Sequence, residues 1–414
     1  MIKFDKFTLD NGLRVIIHQD KTTPIVALNI LYNVGARDEN PNKTGFAHLF
    51  EHLMFGGSIN IPSYDEPLEK AGGENNAFTN NDITNYYLTI PKSNIETGFW
   101  LESDRMLSLA FSEKSLEVQR NVVSEEFKQS YLNQPYGDVW LMIRDLAYTT
   151  HPYKWPTIGK ELSHIQNATM QDVKDFFNKF YKPNNAIMVV AGDITTEEVK
   201  ILCNKWFAPI EAGAQNNRKL PKEPKQTQKK ELRVERDVPV DAIYMAFHCC
   251  ARKDKDYFAT DLLSDILSLG SSSRLYQKLV KEEQLFGDLN AHISGDIDEG
   301  LFMVTGKLKE GVNFETAEIA IMKELNNIAK GGITDNELFK VKNKIESRLV
   351  FSELSVLNKA MNLAYAELIG DANGINEEIN NYHAVTKEQI SKVAKTIFKK
   401  ENCSVIYYKS KATK

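Results

Sequence analysis

The sequence predicts an α+β protein made of two tandem homologous domains, each a mostly antiparallel sheet packed with helices. Three observations carry this expectation. Strand-like and helix-like stretches mix irregularly along the 414 residues, with hairpin signals among them, which suits helices layered on a sheet. The pattern of the first half recurs in outline in the second. Between the halves runs a stretch almost without apolar residues, and a chain this long exceeds one ordinary core.

The elements follow in order. Strand runs at 4–9 and 13–18 flank Asp10-Asn11-Gly12, where Asn11 and Gly12 tolerate the positive φ of a hairpin turn. Residues 25–34 form an apolar run bounded by Pro24 and Gly35. A helix is expected from about Thr44, whose hydroxyl can cap it. Strand signal returns at 86–90, helical patterns fill the chain to about residue 180, and 186–191 is a short apolar strand ended by Gly192. From 210 to 230, Pro221, Pro224 and many Lys, Gln and Asn replace the apolar residues, a linker composition. The expected domains are therefore 1–209 and 231–414. Within the second, 242–250 matches 25–34, each followed by a charged turn (Ala36-Arg37-Asp38 and Ala251-Arg252-Lys253) and a helix, and 300–305 matches 86–90. A repeat of this length indicates a duplicated domain.

Composition narrows the function. Hydrophobic content of 42% and charged content of 26% are ordinary for a globular protein. The net charge of −5 argues against a nucleic-acid partner, which would demand a basic stripe. No apolar run reaches the ~18 residues of a membrane span, so no membrane partner is expected. Residues 1–10 lack the apolar core of a signal peptide. A cytoplasmic location is expected, with the periplasm as the alternative if an export leader has been removed. The four cysteines, Cys203, Cys249, Cys250 and Cys403, contain no Cys-x-x-Cys pair and read as free thiols.

The chemistry concentrates in Gly45-Phe46-Ala47-His48-Leu49-Phe50-Glu51-His52-Leu53-Met54-Phe55. On a helix, Phe46, Leu49, Phe50, Leu53 and Met54 share one face, while His48, Glu51 and His52 fall on the opposite one. Imidazoles at i and i+4 can reach one zinc ion at about 2.0–2.1 Å. The carboxylate just before the second histidine sits near the metal without taking a coordination position. This order, His-x-x-Glu-His, is the inverted zincin motif. Taken alone, a histidine pair on a polar helix face is as often solvated as ligating. A catalytic zinc needs a third protein ligand, and the helical stretch 116–127 offers two adjacent acids, Glu125 and Glu126. They point about 100° apart, so only one can face the metal, and spacing does not choose between them.

With these residues in hand, the sequence resembles the pitrilysin family of metallopeptidases, which includes insulin-degrading enzyme and the mitochondrial processing peptidase. The resemblance covers nearly the whole chain and is most specific in His48-x-x-Glu51-His52 followed by Arg120-Asn121-Val122-Val123-Ser124-Glu125-Glu126. It implies Glu126 as the third zinc ligand and Glu51 as the catalytic base. The chain departs from the family at Gln119, where relatives often carry a second-shell glutamate; glutamine can still orient a ligand by hydrogen bonding. Gly72-Gly73-Glu74-Asn75-Asn76-Ala77-Phe78-Thr79 resembles the family's active-site edge strand, on which a substrate backbone adds as an extra strand, and this implies Asn76 and Ala77 as substrate contacts. His151-Pro152-Tyr153 resembles a structural loop, so His151 is not read as a ligand. Ser271-Ser272-Ser273-Arg274 resembles a segment whose arginine contacts substrate, which implies Arg274. The helical stretch 259–269 of the second half contains no histidine, so no second site of this kind is expected.

The resemblance implies a zinc-dependent endopeptidase acting on unfolded peptides inside an enclosed chamber. The alternative is a catalytically inactive scaffold or partner subunit. Such members typically lose parts of His-x-x-Glu-His, whereas this chain keeps all of it. Longer relatives close four domains around the substrate, and this chain supplies two. A dimer is therefore expected, with a homologous non-catalytic subunit favoured over a second copy.

Overall fold

The computed structural model describes residues 1–411, so the expected end of the second domain, 412–414, lies outside the described residues. Two sheets organise it. The first contains β1 (Asp5–Thr8), β2 (Arg14–Gln19), β3 (Ile25–Tyr32), β4 (Glu74–Thr79), β5 (Thr84–Pro91) and β6 (Ala186–Gly192), in the spatial order β1-β2-β6-β3-β5-β4. The second contains β7 (Lys230–Arg236), β8 (Ala242–His248), β9 (Phe286–Ile293), β10 (Leu301–Leu308) and β11 (Cys403–Ser410), in the order β7-β11-β8-β10-β9. Each sheet has a single parallel pair, β2 with β6 and β7 with β11, and is otherwise antiparallel. Apart from β1, the order of the first sheet repeats strand for strand in the second. The matched runs 25–34 and 242–250 become β3 and β8, and 86–90 and 300–305 become β5 and β10.

Local chemistry accounts for the strands. Gly12 adopts φ +86 in the hairpin between β1 and β2, where an added Cβ would lie 2.7 Å from Asn184 Cβ. β3 and β6 are nearly continuous apolar runs because both of their faces are covered. On one face Ile16, Ala27, Leu31, Ile187, Val189 and Ala191 pack with Ala360, Leu363 and Ala364 of the helix Val356–Ile369. The opposite face carries Tyr32 and Tyr86 towards the helix Phe46–Leu53, where the Tyr86 hydroxyl donates to Phe50 O at 3.2 Å.

The chain forms two compact units, and neither is continuous in sequence. One contains Met1–Lys128, Trp155–Leu220 and Val350–Glu377; the other contains Gln129–Lys154, Pro221–Leu349 and the chain from Glu378. The division near 220 falls inside the expected linker. The segments 129–154 and 350–377 depart from the expected domains, each counting with the unit of the opposite half. The reason is burial. Each sheet has two apolar faces, and its own half supplies helices for one. Val139, Ile143 and Ala147 of the helix Val139–Ala147 cover Ala242, Tyr244, Met303, Ile406 and Tyr408 in the second unit, as Val356–Ile369 covers the first sheet. Residues 210–229 form neither helix nor strand, and polar side chains tie them down. Arg218 binds Asp38 through Nε at 2.6 Å within the first unit, and Glu223 accepts the backbone N–H groups of Thr149, Thr150 and His151 within the second. No helix among the described residues is long and apolar enough to cross a membrane.

Leu363 is fully buried between its helix and the first sheet. Leu363→Ala should cost about 2–5 kcal/mol, the usual cost of a large-to-small change in a packed core. Denaturant titration of the purified variant checks it.

Candidate metal centre

The helix Phe46–Leu53 is amphipathic in the sense the sequence predicts: Phe46, Leu49, Phe50 and Leu53 are buried, while His48, Glu51 and His52 lie on the less buried side. An aromatic floor supports it. Phe50 stacks on Tyr181 at 5.0 Å between ring centroids and on Phe176 at the same distance. Below that floor the buried Arg105 binds Glu102 through Nε (2.8 Å) and Nη2 (2.6 Å), and lies 4.5 Å from the ring centroids of both Tyr64 and Tyr86. Tyr64 donates to the same Glu102 at 2.6 Å. A buried guanidinium is tolerated here because a carboxylate and aromatic faces replace its water.

Helix capping differs from expectation. Thr44 is not the cap. Gly45 precedes the helix with φ +88, and no side chain of its own caps the first turn. The Thr44 hydroxyl instead bonds His164 Nδ1 (2.8 Å) and accepts from Lys160 N (2.7 Å). The first turn is capped from a distance by Glu39, which accepts Gly45 N at 2.9 Å and Ala47 N at 2.8 Å. Burial pushes the Glu39 carboxyl up to about 8, although the N–H groups of Ala47, Gly45 and Trp155 pull against it. No periodicity in the sequence marks Glu39, since a remote cap has no fixed spacing from the helix it serves.

The helix Glu113–Phe127 brings the third acid. Glu126 Oε2 lies 3.6 Å from His48 Nε2 and 3.5 Å from His52 Nε2, and the two rings stand edge to face at 4.9 Å. Glu125 turns away, exposed, and pairs with Lys128 at 2.6 Å. The adjacent-acid question therefore has a geometric answer in favour of Glu126. His48, His52 and Glu126 each offer one ligand atom within 4.8 Å of the others. A tetrahedral ion with bonds of about 2.0–2.1 Å would separate its ligand atoms by about 3.3–3.4 Å. The observed spacing matches that closely.

Electrostatics agrees with the geometry. Burial holds His48 below the ordinary imidazole range, although the Glu126 charge pulls it up. Hydrogen bonding to His52 holds the Glu126 carboxyl below its ordinary range, against burial. Both shifts favour the forms in which imidazole and carboxylate bind a divalent cation, neutral for His48 and ionised for Glu126.

The other predicted residues are placed as follows. β4 is the edge strand of its sheet and pairs only with β5. Its register sets Ala77 opposite Tyr86, on the face shared with the metal helix, and Asn76 opposite Tyr87, on the other face. The Asn76 carboxamide oxygen accepts Ala77 N at 2.8 Å. Arg274 lies in the second unit, where Glu337 holds it bidentately at 2.7 Å and Gly332 O accepts from it. Its guanidinium serves the start of the helix Asp335–Ser352, and nothing around it marks a substrate contact. His151 Nδ1 accepts from Tyr153 N, and its Nε2 lies 3.5 Å from Asp298. All four cysteines are free.

Comparison with known proteins supplies the family. Residues 14–160 match the model described as "Insulinase (Peptidase family M16)", and residues 167–345 match "Peptidase M16 inactive domain". The zinc protease PqqE of Helicobacter pylori is 31% identical over 98% of this chain and 93% of its own length. This chain belongs to peptidase family M16. The uncharacterized zinc protease YmxG of Bacillus subtilis is 26% identical, covering 96% of both chains. The crystal structure of a protease from Helicobacter pylori superposes with a TM-score of 0.92 at 30% identity, over 99% of this chain and all of that one. An M16 inactive domain from Pseudomonas fluorescens shares the fold, with a TM-score of 0.89 at 17% identity over 99% of this chain and 98% of that one. The two-domain α+β architecture is that of the M16 fold.

His48→Ala, His52→Ala and Glu126→Ala each remove one of three converging donors, so each should lose tight metal binding, while Glu125→Ala should keep it. Elemental analysis of the purified variants decides. Metal kept by Glu126→Ala but lost by Glu125→Ala would reverse the choice of third ligand.

Proposed function

We propose that this chain is a zinc-dependent endopeptidase that hydrolyses extended peptides. The observation that carries the reading is one helix face presenting His48 and His52 to Glu126, with Glu51 beside them, next to the edge strand β4. The names of the relatives PqqE and YmxG support zinc as the metal. His48, His52 and Glu126 would hold it, and when bound it supplies the Lewis acidity that acidifies water and polarises a carbonyl.

The remaining steps belong to the chain's own residues. Glu51 stands one position before His52, so it lies beside the ligands rather than among them. It takes the proton of the attacking water and passes it to the leaving amine. β4 offers its unpaired edge to the substrate backbone, giving main-chain hydrogen bonds without sequence demand. Asn76 and Ala77 lie at the middle of that strand and are the contacts we assign to it. The strand selects for extended segments whose backbone N–H and C=O groups are unpaired.

We further propose that the working form is a dimer with a homologous chain lacking the zinc motif, which would complete the substrate enclosure. Arg274 is engaged by Glu337, so a substrate clamp would have to come from the partner. Solution mass and peptidase assays with and without a candidate partner test this. A homodimer with full activity and no gain from any partner would sink it.

Glu51→Gln keeps the side-chain shape and removes its basicity. It should retain zinc and lower kcat about 10²–10⁴-fold, the usual range for general acid–base catalysis. A quenched fluorescent peptide assay, paired with metal analysis, checks both halves. Wild-type protein that holds zinc yet cleaves nothing in a broad peptide library would favour the inactive-scaffold reading.

A further inference from the structure

The metal helix is only eight residues long, and its first turn lacks a cap of its own. The first four N–H groups of any helix have no partner within it. Gly45, the residue in the capping position, has φ +88, and an added Cβ would lie 2.6 Å from both Ile158 O and Ile165 Cδ1. A serine or aspartate there would be excluded by strain and space together. The neighbouring Thr44 hydroxyl is committed to His164 and Lys160. The cap has to come from elsewhere, and one residue supplies it.

We propose that Glu39 is a positioning residue of the metal centre: its carboxylate caps the metal helix from outside and fixes the orientation in which that helix presents His48 and His52 to Glu126. The proposal rests on the metal-centre reading and goes beyond it by assigning a residue that touches neither metal ligand side chain nor substrate. Glu39 Oε1 accepts Ala47 N at 2.8 Å, one residue before His48. Oε2 accepts Gly45 N at 2.9 Å and Trp155 Nε1 at 3.0 Å. Glu39 is 6% exposed, and all three groups bound to it are donors. Burial pushes this carboxyl up to about 8, but three converging donors leave no acceptor for a carboxyl proton, so the geometry favours the ionised form, whose charge also suits a helix N-terminus.

The turn that carries Glu39 is itself anchored. Ala36 N donates to Asn80 O and Arg37 N to Asn81 O, both in the hairpin between β4 and β5. Arg37 pairs with Asp82 at 2.9 Å, both side chains buried. Trp155 Nε1 bridges Glu39 to Ala36 O, at 3.0 Å from each. The turn Ala36–Asp38 and Glu39 therefore clamp the hairpin of the edge strand to the first turn of the metal helix. Movement of the carboxylate would shift the ligand helix relative to both Glu126 and β4.

The test is zinc affinity, measured by competition with a chromophoric chelator on the full chain, with circular dichroism confirming the folded state. Glu39→Gln keeps the size but turns an NH2 group towards an N–H donor. It should weaken zinc binding about 10–100-fold, the loss typical of outer-shell changes. Leu363→Ala, on the opposite face of the sheet, lowers stability without touching this network, and should bind zinc as the wild type does. Glu39→Gln that lost stability yet bound zinc with wild-type affinity would overturn the positioning role and leave the metal centre standing. Wild-type protein that bound no zinc would overturn both. Should Glu39→Gln not fold, Trp155→Phe removes one of the three donors and leaves the carboxylate; a severalfold loss of affinity supports the proposal, and an unchanged affinity overturns it.

Discussion

His48 Nε2, His52 Nε2 and Glu126 Oε2 are drawn together from two helices that are 60 residues apart in sequence. Three ligand atoms at that spacing can share one divalent cation. The surrounding structure is organised to hold them there. Phe46, Leu49, Phe50 and Leu53 anchor one helix in the core, and Val123 and Phe127 anchor the other, so the polar residues have one direction left to point. The aromatic floor of Tyr86, Tyr181 and Phe176, with Arg105 and Glu102 beneath it, keeps the metal helix at a fixed height above its sheet.

The same sheet ends in an uncovered strand. β4 follows the metal helix in sequence and returns to the sheet edge beside it, so the strand proposed to pair with a peptide lies next to the proposed metal ligands. The turn around Glu39 joins these two parts through backbone and buried polar contacts. The proposed function therefore draws on three levels: a helix face for the ligands, a sheet edge for the substrate, and a buried carboxylate that fixes one against the other.

The second unit shows what duplication keeps and what it lets go. Its sheet repeats the first strand for strand, and the helix Tyr257–Ser268 follows β8 as the metal helix follows β3. That helix carries Asp261 and Asp265 four residues apart, with no imidazole. Burial and the neighbouring Asp261 push Asp265 up to about 6, against the pull of Arg348 and Lys344, and Tyr382 donates to Asp261 at 2.6 Å. Tyr382 engages Asp261, whereas the buried Asp265 Oδ2 meets no hydrogen-bond partner; His48, His52 and Glu126 are the one group within metal-ligating reach among the described residues. The packing constraint survived the duplication because each sheet needs its helices; the ligand chemistry had no such constraint on this side.

By itself the sequence determined the fold class, the internal repeat, and the helix face with His48, Glu51 and His52. These follow from periodicity and residue type, which act over one or two helical turns and leave a direct trace in the chain. Family resemblance added Glu126, where spacing alone left Glu125 equally open. Only the tertiary structure decided the rest. It turned Glu125 to Lys128 and Glu126 to the histidines, because a helix can face a partner with only one of two adjacent residues. It committed Arg274 to Glu337, moved capping from Thr44 to Glu39, and placed 129–154 and 350–377 outside their own halves. Each of these depends on which groups meet across long stretches of chain, where burial of a sheet face or satisfaction of an N–H group selects a partner that no local pattern encodes.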